Sequence, residues 1–163
     1  MKKFFLIIAL VLPMALCAQK FGHVNQQEVF MLMPELKQVQ QKIDTLRGQY
    51  ETQIANMQEE FNKKVADYQQ NEATMPDAMK QLRQQELGEM EQRIQLFYQT
   101  AQQDIQKKQQ ELLAPVHEKL TKAIQAVGKD NGFTYIFDSI ALAFISPDAT
   151  DVTSLVKAQL GIK

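Results

Sequence analysis

An apolar stripe broken once, between two prolines, constrains this chain more than any other feature. From Leu36 the apolar positions run Val39, Ile43, Leu46, Tyr50, Ile54, Met57, Phe61, Val65 and Tyr68, in steps of three and four. That spacing is one face of a long helix. The opening steps are heptad-like, and the stretch from Leu46 to Tyr68 forms eleven-residue repeats that relax or reverse a supercoil. A second stripe runs Met79, Leu82, Leu87, Met90, Ile94, Phe97, Ala101, Ile105, Leu112, Val116, Leu120, Ile124 and Val127. Between them Pro76 cannot continue a helix and pushes Met75 towards extended backbone, and Thr74 or Asp77 suits the cap of the next helix. Residues 35–115 are therefore expected to form an antiparallel helical hairpin, a coiled-coil arm with its tip at about residues 71–78. Folding at residue 75 sets residue 36 opposite residue 115. Pro34 suits a first helical turn, Pro115 is expected to kink its helix, and together they mark where the arm would enter a compact body. About 40 residues per helix at 1.5 Å each make an arm of about 60 Å.

The arm's solvent faces are unusual. Between residues 35 and 115 there are 19 glutamines against 10 basic and 13 acidic residues. Glutamine is a fair helix former that gives a solvated face without a strong field. The whole chain carries a net charge of −1, which argues against nucleic-acid binding. His23 and His117 are the only histidines, neither lies near a second strong ligand at metal spacing, and no cofactor motif is present.

Residues 1–18 read as a secretory signal peptide: Lys2 and Lys3, an apolar run, then small residues ending at Ala18. The run is short for a membrane span, a retained anchor helix being the competing reading. Cleavage is expected after Ala18, although Leu16 is large for its place. Cys17, the single cysteine, opens an alternative as a lipid attachment site. Cleavage after Ala18 would leave no thiol for a disulfide or for catalysis.

Residues 19–34 and 116–163 supply the expected body. Lys20–Asn25 alternates weakly and suits a short strand. Gln26–Met33 suits a short helix. Beyond Pro115 the helix should stop at Gly128 or by Asn131-Gly132. Phe133–Phe137 is β-branched and aromatic, a strand. Ile140–Ile145 is apolar on both faces and is expected as a second, buried strand. Asp151 can cap a last helix carrying Val152, Leu155, Val156 and Leu160, closed by Gly161. The class is α+β, mostly α: a long hairpin and a small three-strand body. A core of about 64 residues is marginal alone. Self-association through its strands is the simplest remedy. Phe133, Tyr135, Phe137, Ile140, Leu142 and Phe144 are the candidate oligomerisation residues.

Three motifs then carry a resemblance: Phe21-Gly-His-Val-Asn25, Gly132-Phe-Thr-Tyr-Ile-Phe-Asp138, and Asp151-Val-Thr-Ser-Leu-Val-Lys-Ala-Gln-Leu160. Their order around a long hairpin resembles the Skp/OmpH family of periplasmic chaperones, over the whole mature chain. The resemblance implies a homotrimer with a β body and three arms around a cavity. It implies a periplasmic, ATP-independent holdase whose partners are unfolded outer-membrane proteins. Members are often basic at the arm tip. Here Lys80 and Arg83 stand among Asp67, Glu72 and Asp77, so no strong anionic-membrane or lipopolysaccharide site is expected.

Apolar residues off the stripe are the candidates for client contact. Leu96 is the clearest, because Gln92, Arg93, Gln99 and Thr100, its neighbours at three and four residues, are all polar. Met75 and Met79 near the tip follow, since methionine adapts to varied partners. The competing class is a structural spacer or adaptor of an envelope complex. An enzyme is not expected: the carboxylates are spread over solvated helix faces, with no Ser/His/Asp or Cys/His set.

Overall fold

The structure, a computed structural model, describes residues 19–162; the expected signal peptide and the expected cleavage after Ala18 lie outside the described residues. In chain order come β1 (Phe21–Val24), α1 (Gln26–Leu32), α2 (Pro34–Asn71), α3 (Asp77–Asp130), β2 (Tyr135–Asp138), β3 (Thr150–Asp151) and α4 (Thr153–Gln159). The chain divides into two compact units. One is Pro34–Val116; the other joins the described residues up to Met33 to those from His117 onward. α3 contributes residues to both.

In the hairpin unit, Pro34 opens α2 with Glu35 in the first turn, where a missing N–H costs nothing. α2 ends at Asn71, and Thr74 Oγ1 donates back to the Asn71 carbonyl at 3.1 Å. Met75 is extended, as the following proline requires, and the Pro76 carbonyl accepts from Met79 and Lys80 N–H at 2.9 and 3.0 Å. The two helices meet as a fold-back about residue 75 demands. Tyr50 Oη donates to Asp104 Oδ2 at 2.8 Å, and its ring meets Phe97 edge-on at 5.8 Å. Lys64 pairs with Glu86, and Gln84 Nε2 donates to Tyr68 Oη at 2.9 Å. α3 remains helical on both sides of Pro115.

The seam is only half sealed. Ile43, Met90, Ala101 and Val116 are buried, whereas Leu46, Tyr50, Ile54, Met57, Phe61 and Val65 are half-buried. A helix facing a single partner covers one side of its stripe and leaves the flanks to water, so periodicity gives the right face with less burial than a bundle provides. Two stripe assignments fail: Met79 is 42% exposed and Leu82 57%. The step from Leu82 to Leu87 is five residues, which no helical seam accommodates. Lys80, Arg83 and Glu86 are half-buried there instead, and the Lys64–Glu86 and Arg83–Glu86 pairs form across this stretch.

The other unit is built on a three-stranded parallel sheet in the order β2-β1-β3. Phe21 pairs with Tyr135 and His23 with Phe137 on one side, and His23 with Asp151 on the other. Strands alternate their side chains. Gly22 and Val24 face inward and are buried, with Val29, Met33, Leu120, Ala123, Val127, Val152, Thr153 and Val156. Gly22 is needed for closeness: a Cβ there would lie 2.9 Å from the Phe133 ring and 3.3 Å from Val152. Asn25 caps α1, its Oδ1 accepting from Glu28 N–H at 3.0 Å, while its own N–H donates to Thr153 Oγ1 at 3.0 Å. Asp151 Oδ1 accepts from Thr153 N–H at 2.8 Å at the start of α4. α4 closes in a Schellman turn: Gly161 lies at φ +71°, its N–H donates to the Ala158 carbonyl and that of Ile162 to Lys157.

The expected buried strand Ile140–Ile145 is not formed. Asp138 Oδ1 accepts from Ile140 N–H at 3.2 Å, which folds Ser139–Ala141 into a 3-10 turn and swings the chain off the line of β2. Residues 142–149 then run without regular structure, and the third strand is the short Thr150–Asp151. Ile140 and Phe144 are 61% and 80% exposed. An apolar pattern on both faces implies burial only when a second layer is at hand, and a single chain supplies none here.

Candidate functional site

Two surfaces, one in each unit, stand out. In the sheet unit the outward side chains of β1 and β2 form an aromatic face. Phe21 stacks on Tyr135 at 5.9 Å between centroids and lies 6.3 Å from Phe137, with Tyr135 and Phe137 6.0 Å apart. All three are exposed, Tyr135 by 56%. A groove of about 320 Å³ continues the face, lined by Phe21, His23, Phe137, Leu142, Phe144 and Ile145 among others. Of the six residues expected to serve oligomerisation, the structure brings Tyr135, Phe137, Leu142 and Phe144 to this face and groove. Ile140 is exposed on the turn beside it. Phe133 is used within the unit: it packs on Gly22, and Lys20 Nζ sits 4.1 Å above its ring.

In the hairpin unit, the large apolar side chains that are exposed are Met79, Leu82, Leu96 and Tyr98. All four belong to α3; α2 exposes none among the described residues. Leu96 is 64% exposed. Leu82 and Leu96 are separated by two heptads, hence share one helix face about 21 Å apart. Leu82 was missed at the sequence level, and its five-residue step to Leu87 was the available signal. Met75 is half-buried at the tip. A groove of about 340 Å³ opens where small Ala101 faces Tyr50 and Ile54, with Arg47 and Tyr98 on its walls.

The electrostatics are those of a solvated surface. Lys64 and Arg83 hydrogen bonds hold the Glu86 carboxyl below its usual range. Burial pushes Asp151 up, but hydrogen bonds from Thr153, with His23 and Lys157 nearby, leave it lowered on balance. The tip cations are partnered: Lys80 lies 3.8 Å from Asp77, and Arg83 2.8 Å from Glu86. Among the described residues no three His, Cys, Asp or Glu side chains converge as a metal site. No helix among them is long and apolar enough to cross a membrane.

The fold is that of a long helical hairpin and a small parallel sheet, each unit with exposed apolar side chains. Residues 20–160 match the family described as Outer membrane protein (OmpH-like), and the chain belongs to that family. It is 22% identical over 153 residues to the chaperone protein Skp of Yersinia enterocolitica, covering 94% of this chain and 93% of that one. It is 21% identical over 143 residues to the chaperone protein Skp of Pectobacterium atrosepticum, covering 88% and 86%. The crystal structure of a candidate OmpH-like outer membrane chaperone from Caulobacter crescentus CB15 shares the fold, with a TM-score of 0.76 at 17% identity over 88% of this chain and 85% of that one. The family is one of chaperones, not enzymes.

Proposed function

We propose that this chain is a periplasmic, ATP-independent holdase that binds unfolded outer-membrane proteins, working as a homotrimer with clients held between its hairpin arms. The observation that carries the reading is the one-sided exposure on the hairpin: Met79, Leu82, Leu96 and Tyr98 lie open on α3, with nothing comparable on α2. A spacer gains nothing from large apolar residues kept in water on one helix. A holdase needs them, spaced and weak, because an unfolded barrel strand presents apolar residues at alternate positions and must leave without fuel.

Family membership and the Skp relatives support the client class. The Lys-Lys, apolar and small-residue order of the first 18 residues supports export. Self-association is supported by the small core of the sheet unit, whose fully buried large side chains are all valines: Val24, Val29, Val152 and Val156. The aromatic face beside it is the surface a second copy would cover. The body of residues 19–34 and 116–163 would then hold the oligomer and residues 35–115 the client.

The deciding experiment dilutes a denatured outer-membrane barrel protein into buffer with and without the mature protein and follows light scattering. Suppression of aggregation near one trimer per client, without nucleotide, is expected. Unchanged aggregation at a tenfold excess would leave a structural role in the envelope as the better account.

A further inference from the structure

We propose that Met79 is an oxidation site on the client surface: peroxide-class oxidants convert its thioether to the sulfoxide, which weakens client binding and leaves the fold intact. This rests on the client-binding reading above.

Composition narrows the chemistry. The chain has no tryptophan and a single cysteine, Cys17, which the expected cleavage after Ala18 removes. The sulfur left in the mature chain is then all thioether, and thioethers take one oxygen reversibly. The structure sorts these methionines by access. Met33 and Met90 are buried, 2% and 9% exposed, whereas Met31 and Met79 are open, 68% and 42% exposed. Met57 and Met75 are half-buried. Dissolved peroxide therefore reaches Met31 and Met79 first, and the packed sulfur of both units last.

Position separates the two open sites. Met31 lies on α1 of the sheet unit. Met79 lies in the first turn of α3, its N–H donating to the Pro76 carbonyl at 2.9 Å. Leu82 is three residues on, hence a neighbour on the helix surface, and is exposed as well. The sulfur lone pair attacks one peroxide oxygen, the O–O bond breaks, and sulfoxide and water form; sulfur loses two electrons and the peroxide gains them. In the unliganded chain the new oxygen is solvated and costs the hairpin little. Against an apolar client it must shed that water without a partner. The nearby cations are committed: Arg83 donates to Glu86 at 2.8 Å, and Lys80 lies 3.8 Å from Asp77. An adaptable apolar contact thus becomes a polar one.

The test treats the mature protein with hydrogen peroxide until peptide mapping by mass spectrometry finds Met31 and Met79 oxidised and Met33 and Met90 intact. Circular dichroism should show unchanged helix content. Titration of a fluorescent unfolded barrel protein should then show affinity reduced about three- to tenfold, from the 42% of the Met79 side chain that a client can still cover. Methionine sulfoxide reductases for both epimers should restore it. Met31→Leu should lose affinity on oxidation as the wild type does, and Met79→Leu, compared with itself before and after peroxide, should lose none. Oxidation of Met79 no faster than that of Met90 would overturn the proposal. So would undiminished binding by the oxidised wild type, or an equal loss in Met79→Leu. An untreated wild type that binds no unfolded barrel protein would overturn the client-binding reading itself, and this proposal with it.

Discussion

Replacing Leu82 and Leu96 together by glutamine is the most direct assault on the client-binding surface. Fully burying a leucine is worth about 1.5–3 kcal/mol. These two begin 57% and 64% exposed, so contact with a client can bury only the remaining exposed half to two-thirds. Each then contributes about 1–2 kcal/mol, and the pair about 2–4 kcal/mol. At 1.4 kcal/mol per tenfold, the double variant should bind about 30- to 700-fold more weakly if one client segment uses both positions. If clients contact them alternately, the loss falls towards that of a single site, about tenfold. Both side chains are solvated in the free chain, so the hairpin should keep its helicity and melting temperature. The assay is titration of a fluorescently labelled unfolded barrel protein at about 50 and 200 mM salt, with Gln58→Ala on α2 as the control. The arm carries little net charge, and wild-type affinity should change little between the two salt levels, since screening acts on exposed charge. Undiminished binding by the double variant, with a steep loss of wild-type affinity in salt, would refute the apolar account. Local charge patches would then be the client surface.

Other expectations follow from single positions. Phe144→Asp, at a residue 80% exposed in the single chain, should leave the chain folded and lower its molar mass in light scattering, because a carboxylate buried between copies costs several kcal/mol; a fully assembled variant would remove this groove from the interface. Gly22→Ala sets a Cβ 2.9 Å from the Phe133 ring and should cost about 1–3 kcal/mol in urea denaturation; in the double variant with Phe133→Leu the costs should be clearly sub-additive, and simple additivity would deny the contact. The Glu86 carboxyl is held low by Lys64 and Arg83. Its contribution to the hairpin tip is therefore complete above the unfolded carboxylate's pKa, and is lost as pH falls through the lower folded value. Amide exchange around residues 64 and 86 should accelerate below about pH 4, and Glu86→Gln should exchange fast at neutral pH as well.

The hairpin was legible because its signal is repeated: every second turn of two long helices restates the same face, and Pro76 marks the reversal. Tyr50 with Asp104 and Lys64 with Glu86 land where a fold at residue 75 puts them. The stripe misleads at Met79 and Leu82, which are exposed; the five-residue step from Leu82 to Leu87 does not fit a helical seam. In the other unit the signal is short and context decides. Phe133–Phe137 reads as a strand from composition; the observed Tyr135–Asp138 begins two residues later and ends one later. Ile140–Ile145 has strand composition, yet the Asp138 side chain turns the backbone before pairing can begin. The actual third strand, Thr150–Asp151, is two polar residues held by their register with Gly22 and His23; no periodicity exists in two residues. Leu96 was legible as an off-stripe residue because its polar neighbours at helical spacing are visible in the sequence. The aromatic face was visible only as residue types, since its cohesion comes from Phe21 lying beside residues more than a hundred positions later.

The centre of the sheet comes from the start of the chain, and both its neighbours come from the end. Among the described residues β1 pairs with β2 and β3 and with no strand nearer in sequence. A chain that emerges vectorially cannot build this unit until its last turns have arrived, whereas the hairpin is complete well before. Closing a flexible loop of about 110 residues between β1 and β2 ahead of strand pairing is slow. A hairpin that has already zipped brings its own two ends together and removes most of that search. Folding order is thus written into the topology, with the hairpin acting as a splint for the sheet. Substitutions that loosen the seam around Tyr50 and Phe97 should then slow the appearance of the sheet in refolding, although those residues lie in the other unit.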